Sequence, residues 1–369
     1  MRISVPTETA PRELRVALAP DSVARLIKQQ KLEVVVQRGA GLRAGFRDNA
    51  YESVGATIVP DAAAALGGAA IVAKVQPPTP QEVAGIDNGA TLISLLTPGR
   101  SAEVIAALAA RNVTALALEL VPRITRAQSM DVLSSQSTVS GYKAVLIGAS
   151  SLGKFLPMLT TAAGNISPAK VFVIGAGVAG LQAIATGRRL GGVVSAFDVR
   201  PAAREQVQSL GASFVANDLV SASAEAAGGY ARAQTADEQT RTLAAIGNHI
   251  KDMDLVISTA QIPGRTAPTL ITEEMVVSMR AGSVIVDLAA ETGGNCVLSK
   301  PGETVQAHDV TIIAPVNPPS TVAFHASQMF GRNIFELLKH LVKDGALQLD
   351  VNDEITGAMM MTHGGQVLR

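Results

Sequence analysis

The feature of this sequence that most restricts its fold is a glycine-rich segment within residues 170–200. Residues 171–174 form an apolar run that is too short for a helix and is typical of a buried parallel strand. Residues 181–190 then place apolar side chains at helical spacing, and a second strand-like run ends in Asp198. This order predicts a βαβ unit with a glycine turn between its first strand and its helix.

Each of three glycines in this turn has a mechanical reason to be there. Gly175 makes the tight turn, Gly177 lets the backbone approach a pyrophosphate, and Gly180 lets the helix pack closely on the strand. The start of the following helix offers unpaired N–H groups and the positive end of the helix dipole to phosphates. We therefore predict a dinucleotide site, although a glycine turn in an α/β core without any ligand is an alternative.

The acid at the end of the second strand favours one dinucleotide over the other. Asp198 lies 18 residues after Gly180, close to the roughly 20 residues expected for the acid that accepts from the ribose hydroxyls. A carboxylate at that position repels a 2′-phosphate, which favours NAD(H) over NADP(H). Arg200 is the counter-argument, because a nearby arginine can hold a 2′-phosphate.

Length and composition exclude several other classes of protein. The chain has 369 residues, which favours two domains, and its formal net charge of zero and lack of a basic block disfavour nucleic acid as a partner. The single Cys296 excludes an internal disulfide and suits a reducing compartment. Although hydrophobic residues make up 47%, no apolar run is long enough to span a membrane, so direct membrane insertion is not expected.

Both halves of the chain alternate β-branched runs with helical stretches, which is the pattern of parallel sheets with crossover helices. We predict an α/β protein with two doubly wound, Rossmann-like domains joined by two long helices, 137–161 and 321–343. The first domain is then discontinuous, formed by 1–136 with 321–369, and 137–320 form the NAD-binding domain. The cleft between the domains is the expected ligand site.

Two sets of six strands are expected in these sheets. In the first half the predicted strands are 3–6, 33–37, 57–59, 71–75, 92–95 and 114–120, with helices at 20–30 and 102–111. In the second half they are 171–174, 193–197, 213–215, 255–258, 284–288 and 311–313. Six strands that begin with a glycine turn suit the two-halved dinucleotide-binding topology.

A polar segment before the first long helix is a second candidate for chemistry. Residues 122–137 read Pro-Arg-Ile-Thr-Arg-Ala-Gln-Ser-Met-Asp-Val-Leu-Ser-Ser-Gln-Ser. An arginine, a glutamine and an aspartate in one loop can fix a carboxamide, because the glutamine and aspartate accept its N–H groups and the arginine donates to its oxygen. From composition alone, a solvated loop that caps the next helix through serine or threonine is the alternative.

The remaining reactive side chains support neither hydrolysis, phosphoryl transfer nor a metal. The five histidines are scattered at 249, 308, 325, 340 and 363, without metal-ligand spacing. There is no serine elbow of the G-x-S-x-G type and no P-loop lysine after the glycines. A hydride transfer between two nicotinamides, which needs orientation but no proton donor, is compatible with this lack of an acid or base.

Along essentially its full length, the sequence resembles the NAD(H)-binding alpha subunit, or domain I, of the proton-translocating NAD(P) transhydrogenases, with the alanine dehydrogenases as relatives in fold. The segment 122–137 carries the resemblance most specifically. The resemblance assigns Arg123, Gln128 and Asp131 to the nicotinamide as catalytic residues, with Gln128 between the two nicotinamide rings when the partner subunit docks.

The resemblance also implies further contacts with the nucleotide. They are Ser129, Met130, Ser134, Gly175, Ala176, Gly177, Val178, Gly180, Asp198, Val199, Arg200, Gly229, Tyr230 and Gln261. The small and polar residues of 222–238 indicate a mobile surface loop or an ordinary insertion. Within it, 228–231 resemble the family's mobile loop, with Tyr230 closing over bound nucleotide. Gln261 departs from the family pattern, in which an apolar residue is expected.

The activity implied by the resemblance needs more than this chain. Hydride passes between NAD(H) bound here and NADP(H) on a partner subunit, in a transhydrogenase of the Si/Re-specific type. A membrane-spanning partner couples the step to proton translocation. The chain is then expected to be a cytoplasmic homodimer, peripheral on the cytoplasmic face of the inner membrane through its partners.

A free-standing, NAD-dependent alanine dehydrogenase is the main alternative. Arg15 and Lys74 match positions at which that family holds its substrate. Its catalytic histidine, however, falls at Thr97, and its catalytic aspartate falls at Glu291, so the usual proton donor to the reacting carbonyl is missing. A non-catalytic NAD-binding regulator is the third possibility.

Overall fold

The described chain divides into two compact units. The computed structural model describes residues 1–216, 219, 232, 234–261 and 265–369. One unit consists of Met1–Gln136 with Pro319–Arg369, and the other of Ser137–Pro318. Each unit contains a mostly parallel sheet with helices on both faces, which confirms the predicted α/β class.

Strands and α-helices alternate along much of the described chain. The strands are β1 (Arg2–Val5), β2 (Glu33–Gln37), β3 (Thr57–Val59), β4 (Ile71–Ala73), β5 (Thr91–Ser94), β6 (Thr114–Ala117), β7 (Leu159–Thr161), β8 (Gly164–Ile166), β9 (Lys170–Ile174), β10 (Val193–Phe197), β11 (Ser213–Phe214), β12 (Leu255–Ser258), β13 (Val284–Asp287), β14 (Thr304–Ala307), β15 (Val310–Ile313), β16 (Val342–Lys343), β17 (Ala346–Leu347), β18 (Met360–His363) and β19 (Gln366–Val367). The α-helices are α1 (Pro20–Gln30), α2 (Asp48–Glu52), α3 (Ala62–Leu66), α4 (Pro80–Gly85), α5 (Ala102–Ala110), α6 (Val132–Ser151), α7 (Val178–Arg189), α8 (Pro201–Ser209), α9 (Ala236–Ile250), α10 (Glu273–Ser278), α11 (Ala323–Leu341) and α12 (Thr356–Met359).

The sheet of the first unit has eight strands in the order β19-β18-β6-β5-β4-β1-β2-β3. Strands β1 to β6 are parallel, as predicted, whereas β18 pairs antiparallel with β6 and β19 pairs antiparallel with β18. The two antiparallel strands at the end of the chain were not predicted. On one face of this sheet, α11 contributes Phe330, Ile334 and Leu338 to the core.

The sheet of the second unit has seven strands in the order β11-β10-β9-β12-β13-β15-β14. Only β14 is antiparallel among the described strands of this sheet, and the six parallel strands have the order 3-2-1-4-5-6 of a dinucleotide-binding sheet. Alternate residues of β9 supply the two cores, with Val171 and Val173 on one face and Phe172 and Ile174 on the other. The order reverses between β9 and β12, where such sheets bind ligands at their carboxyl edge.

The two long helices occur with different limits from those predicted. Instead of 137–161, helix α6 covers Val132–Ser151, because Asp131 caps its start and its last turn lies well before Pro157, which cannot continue a helix. The residues predicted as its last turn form β7, which pairs with β8 as a hairpin. Instead of 321–343, helix α11 covers Ala323–Leu341. Among the described residues no helix is both long and apolar enough to cross a bilayer.

Candidate functional site: a dinucleotide edge and a polar loop

Two glycines give the turn after β9 its shape. Gly175 has a φ of +90°, and its N–H donates to the carbonyl of Phe197 on the neighbouring strand over 2.8 Å. A Cβ on Gly180 would lie 1.8 Å from the carbonyl oxygen of Gly175. The first position therefore needs a left-handed conformation, and the second needs a residue without a side chain.

Gly177 lies in front of the N-terminus of α7 and faces open space. Among the described residues, a Cβ there would have only the Arg200 Nη2 atom within 4 Å, at 3.9 Å. Gly177 is the N-cap residue of α7 and offers no side-chain cap, and Val178 in the first turn is 39% exposed. The helix end thus retains backbone N–H donors facing open space, which fits the pyrophosphate of a dinucleotide.

Asp198 and Arg200 form an ion pair beside this turn. Arg200 donates from Nε to Asp198 Oδ1 over 2.9 Å and from Nη2 to Oδ2 over 2.8 Å. The Ala176 N–H donates to the same Oδ2 over 2.7 Å, and the carboxylate is 7% exposed. Asp198, which follows β10 directly, therefore holds the glycine turn through the Ala176 N–H. Its negative charge compensates the positive charge of Arg200. Val199 lies between the two, half-buried.

The chain after β12 forms the other wall of the glycine turn. Thr259 Oγ1 donates to the carbonyl of Gly175 over 3.0 Å. Gln261 is exposed, and its Nε2 donates to the carbonyl of Leu288 over 2.9 Å. The residue that departs from the family pattern thus bridges the ends of β12 and β13 in this structure.

The residue that holds this wall in place carries no local signal in the sequence. Asn295 is fully buried, and its Oδ1 accepts from Ser258 Oγ over 2.7 Å and from the Ala260 N–H over 3.1 Å. Its Nδ2 donates to the carbonyls of Ala260 and Pro268 over 2.9 and 2.8 Å. Both ends of one amide therefore support the backbone after β12.

A buried carboxylate at the end of β13 organises the neighbouring loop. Asp287 Oδ1 accepts from the Ala289 N–H, and Oδ2 accepts from the Asn295 and Cys296 N–H groups and from Ser299 Oγ, over 2.7–3.0 Å. These donors satisfy the charge of a side chain that is fully buried. An aspartate that ends an apolar strand run is the sequence signal that could have revealed it.

The polar segment 122–137 of the first unit folds as a short 3₁₀ helix, Thr125–Met130, followed by α6. Gln128 is exposed, and its side-chain amide makes no hydrogen bond with the described part of the chain. Arg123 and Ser129 are also exposed, whereas Met130 is buried. The side-chain amide of Gln128 is therefore exposed on a 3₁₀ helix whose last residue, Met130, is buried.

Asp131 caps helix α6. Its Oδ1 accepts from the Ser134 N–H over 2.9 Å and its Oδ2 accepts from Ser134 Oγ over 2.6 Å. The cap expected from composition was serine or threonine, and the structure gives that role to aspartate. Two of the residues assigned to the nucleotide by resemblance therefore hold each other.

The outer side of the same loop is tied to the end of the chain. Arg126 Nη2 lies 3.0 Å from Glu354 Oε2, and His340 Nε2 lies 2.9 Å from Asp353 Oδ2. Burial opposes ionisation of Asp353, but hydrogen bonds from Thr356 and His340 outweigh it and hold the pKa of Asp353 below its usual range. The Arg126 pair is exposed and contributes little stability.

The basic residues matched to the alanine dehydrogenase substrate site are buried in ion pairs. Arg15 Nη2 donates to Glu13 Oε2 over 2.6 Å, and Lys74 Nζ donates to Glu82 Oε1 over 2.7 Å. All four side chains are less than 10% exposed. Both cations are thus held by acids of the first unit.

Thr97 occupies the position matched to the catalytic histidine. It has a φ of +47°, and its N–H and that of Leu96 donate to the carboxylate of Glu119. Burial raises the pKa of Glu119, and these N–H groups oppose that rise. No group of three metal-ligating side chains occurs in the described ranges.

Two predicted nucleotide contacts cannot be placed. Gly229 and Tyr230, with most of the segment 222–238, lie outside the described residues, as do 262–264 next to Gln261. The other assigned residues form two sets. One set is brought together in the second unit around the glycine turn, and the other in the first unit around Thr125–Met130.

A six-stranded parallel order of the 3-2-1-4-5-6 type, with a glycine turn that opens onto a helix N-terminus, defines a dinucleotide-binding α/β protein. The model of the N-terminal domain of alanine dehydrogenase/PNT matches residues 4–140, and that of the C-terminal domain matches residues 144–369. The first part of NAD(P) transhydrogenase subunit alpha from Rhodospirillum rubrum is 46% identical over 376 residues, which cover 100% of this chain and 98% of that protein.

Solved structures give the same relationship. The transhydrogenase from Sinorhizobium meliloti superposes with a TM-score of 0.91 at 44% identity and full coverage of both chains. An L-alanine dehydrogenase superposes with a TM-score of 0.84 at 27% identity, covering 100% of this chain and 97% of that one. The alanine dehydrogenase of Bacillus subtilis is 34% identical over 87% of this chain and 80% of its own length. The chain therefore belongs to the alanine dehydrogenase/PNT family, and within it to the NAD(P) transhydrogenase alpha subunits.

Proposed function

We propose that this chain is the NAD(H)-binding subunit of a proton-translocating NAD(P) transhydrogenase and passes hydride between NADH and NADP⁺ on a partner subunit. The observation that carries the proposal is the glycine turn with its open helix end, in a chain that matches a transhydrogenase alpha subunit over its whole length. Residues 1–136 with 321–369 and residues 137–320 are proposed as its two domains.

The residues of the glycine turn are proposed to hold the phosphates and adenosine. The N–H groups at the start of α7, next to Gly177 and Val178, bind the pyrophosphate. Asp198, with Val199 and Arg200, receives the adenosine ribose. Because Asp198 compensates the charge of Arg200, the pair is less suited to a 2′-phosphate than an arginine alone. Gly229, Tyr230 and Gln261 remain proposed contacts of the same nucleotide.

The polar loop is proposed to orient the nicotinamide. The amide of Gln128 is exposed and unengaged within the described chain, so it can bind the carboxamide and keep water from the ring face. Arg123 adds a donor, while Asp131 and Ser134 fix the loop on the helix start. When bound, NADH supplies the hydride. The chain itself needs to move no proton.

The partners of this activity are proposed from the family. An NADP(H)-binding subunit supplies the acceptor, with Si/Re specificity, and a membrane-spanning subunit couples transfer to proton movement. The chain is then held at the cytoplasmic face of the inner membrane by these subunits.

A homodimer is proposed from the second unit's hairpin. Three apolar side chains around β7 and β8 are exposed: Phe155 by 56%, Met158 by 62% and Ile166 by 41%. Contiguous exposed apolar patches mark protein–protein interaction sites. Light scattering of the purified chain is expected to give twice the 38.0 kDa chain mass. A mass of one chain at micromolar concentration would contradict the homodimer.

Reconstitution tests the activity directly. The purified chain, mixed with an NADP(H)-binding transhydrogenase subunit, is expected to reduce NADP⁺ with NADH, whereas neither protein alone does so. The chain alone is also expected not to convert pyruvate, ammonia and NADH to alanine, because Thr97 cannot donate the proton that this reaction needs. Alanine formation at dehydrogenase rates, or no transfer with the partner, would overturn the proposal.

A further inference from the structure

Helix α11 places one polar side chain against the loop that carries Gln128. Asn333 is 8% exposed in a stretch that is otherwise mostly apolar. Its Nδ2 donates to the carbonyl of Ser129 over 2.7 Å, and its Oδ1 accepts from Ser135 Oγ over 2.7 Å. The side chain therefore uses both ends of its amide on the same loop.

The two contacts join the last turn of the 3₁₀ helix to the first turn of α6. Ser129 follows Gln128 directly, and its carbonyl, in the peptide between Ser129 and Met130, restrains the backbone one residue after the side chain proposed to orient the nicotinamide. Ser135 lies in the first turn of α6 and also accepts from Gln136 Nε2 over 3.2 Å. Between them, Asp131 holds Ser134. Asn333, which lies on α11, thus links Ser129 to Ser135 through its side-chain amide.

A role in packing alone does not explain an asparagine here. Phe330, three residues before Asn333 on α11, is fully buried, as are Ile334 and Leu337 after it. A leucine at this position would bury apolar surface without removing an amide from water, which favours leucine where only stability matters. Two short hydrogen bonds to one loop give the amide a use that leucine lacks.

We propose that Asn333 is a positioning residue: by holding the Ser129 carbonyl it orients Gln128 for hydride transfer. The proposal rests on the function proposed above. Because Asn333 acts through the Ser129 backbone, its replacement displaces the Gln128 side chain while every side chain assigned to the nucleotide is still present. A displacement of about 1 Å in a reacting arrangement can slow a reaction by about 100-fold.

Four variants separate this role from packing. Asn333→Leu removes both hydrogen bonds. Asn333→Asp keeps the acceptor for Ser135 Oγ but, when ionised, loses the donor to Ser129 and sets a carboxylate against its carbonyl. Ser135→Ala leaves the Ser129 contact intact. Arg332→Gln is the matched control, because Arg332 is the neighbouring residue of α11 and, within the described chain, pairs only with Asp21 at the surface.

Single-turnover stopped-flow transfer, with the NADP(H)-binding subunit present, gives the rate, and calorimetry gives the affinity for NADH. Asn333→Leu is expected to slow transfer about 10- to 100-fold, with NADH affinity changed by about threefold or less. Gln128→Asn, which shortens the orienting side chain itself, is expected to show the same division between rate and affinity. Ser135→Ala and Arg332→Gln are expected to transfer at about the wild-type rate.

The pH profile of Asn333→Asp supplies a readout that packing would not change. Once protonated, the carboxyl group of this variant can donate to the Ser129 carbonyl, so its rate relative to wild type is expected to recover as pH falls. If Asn333→Leu does not fold, this profile decides the matter. No recovery, equal losses of rate and affinity, or a wild-type rate in either Asn333 variant would overturn the proposal.

The wild-type protein distinguishes a failure of this proposal from a failure of the function. An active wild type with unimpaired Asn333 variants overturns the positioning role alone. A wild type that transfers no hydride with its partner overturns the function, and the positioning role with it.

Discussion

Among single residues, Asp198 and Arg200 are the pair proposed above to favour NAD(H) over NADP(H). Two charge-assisted hydrogen bonds join their side chains, and the Ala176 N–H shares the carboxylate. The acid therefore both shapes the glycine turn and neutralises the arginine that lies within 4 Å of a Cβ built on Gly177. A 2′-phosphate placed there would meet a carboxylate and an arginine that is already compensated.

Replacing Asp198 with asparagine is expected to narrow the preference for NADH over NADPH by about tenfold, equivalent to about 1.4 kcal/mol. The amide of the Asp198→Asn variant keeps an acceptor for the Ala176 N–H but releases the charge of Arg200 towards a 2′-phosphate. Calorimetric Kd values for both nucleotides measure the ratio. Arg204→Gln, an exposed change on α8, serves as the control and should leave the ratio as it is. An unaltered ratio in the Asp198 variant would count against this role.

Among the helices and strands, sequence pattern predicted most of the strands. The predicted limits of 33–37, 57–59, 193–197 and 255–258 coincide with β2, β3, β10 and β12. Parallel strands buried on both faces give continuous β-branched runs, so their signal is local and strong. The strand order of the second sheet followed from the glycine turn and is confirmed.

The elements that were missed depend on tertiary contacts. Strand β14 is half exposed at a sheet edge, and β18 pairs with β6, more than 240 positions away. The extension of the first long helix to residue 161 was wrong because Pro157 and Gly164 favour the hairpin that forms there.

The side chains that hold the candidate site in place could not be predicted either, because they are far from it in the sequence. The bond between Ser135 and Asn333 joins residues 198 positions apart, and Asn295 holds a loop 35 positions away. Nothing in the local sequence distinguishes these asparagines from surface residues. By contrast, the glycines and the segment 122–137 are recognisable because their spacing reflects a local backbone requirement.

His249, where α9 packs on the second sheet, is expected to make the free energy of unfolding decrease at acidic pH. His249 packs edge-on against Phe172 at 4.7 Å between ring centroids, and its Nε2 lies 2.8 Å from Ser195 Oγ. Burial lowers the pKa of His249, Lys170 adds to this, and Asp252 opposes it. Between the lowered folded-state pKa and the unfolded value of 6.5, the unfolded chain binds a proton that the folded chain does not.

The contribution of neutral His249 to the free energy of unfolding is therefore expected to be fully present above pH 6.5. It is expected to decrease as the pH falls from 6.5 towards the folded-state pKa of His249. Urea denaturation from about pH 8 to about pH 5 measures the free energy of unfolding across this window. His249→Gln is expected to flatten this part of the profile. His308→Gln, which changes an exposed histidine paired with Glu273, should leave it in place. Identical slopes for wild type and His249→Gln would refute the assignment.

At the scale of the whole molecule, each unit offers one part of the proposed chemistry, and in the described part of the chain the position matched to the catalytic histidine of an amino-acid dehydrogenase holds Thr97. The glycine turn and the Asp198–Arg200 pair suit one dinucleotide, and Gln128 offers a carboxamide rather than an acid or base. A threonine hydroxyl lacks the near-neutral pKa that makes histidine an effective proton donor at the position matched to a catalytic histidine. Such a chain suits a direct passage of hydride to a second nicotinamide on another subunit.

Isotope tracing is the decisive test of this direct passage. NADH deuterated on the transferred face of the nicotinamide C4 is mixed with the chain, its NADP(H)-binding partner and NADP⁺, and the products are analysed by mass spectrometry. Because hydride is expected to pass directly between the two rings, each turnover should place its deuterium in NADPH and release none to water. Deuterium released to solvent, or unlabelled NADPH, would show that the hydride does not pass directly.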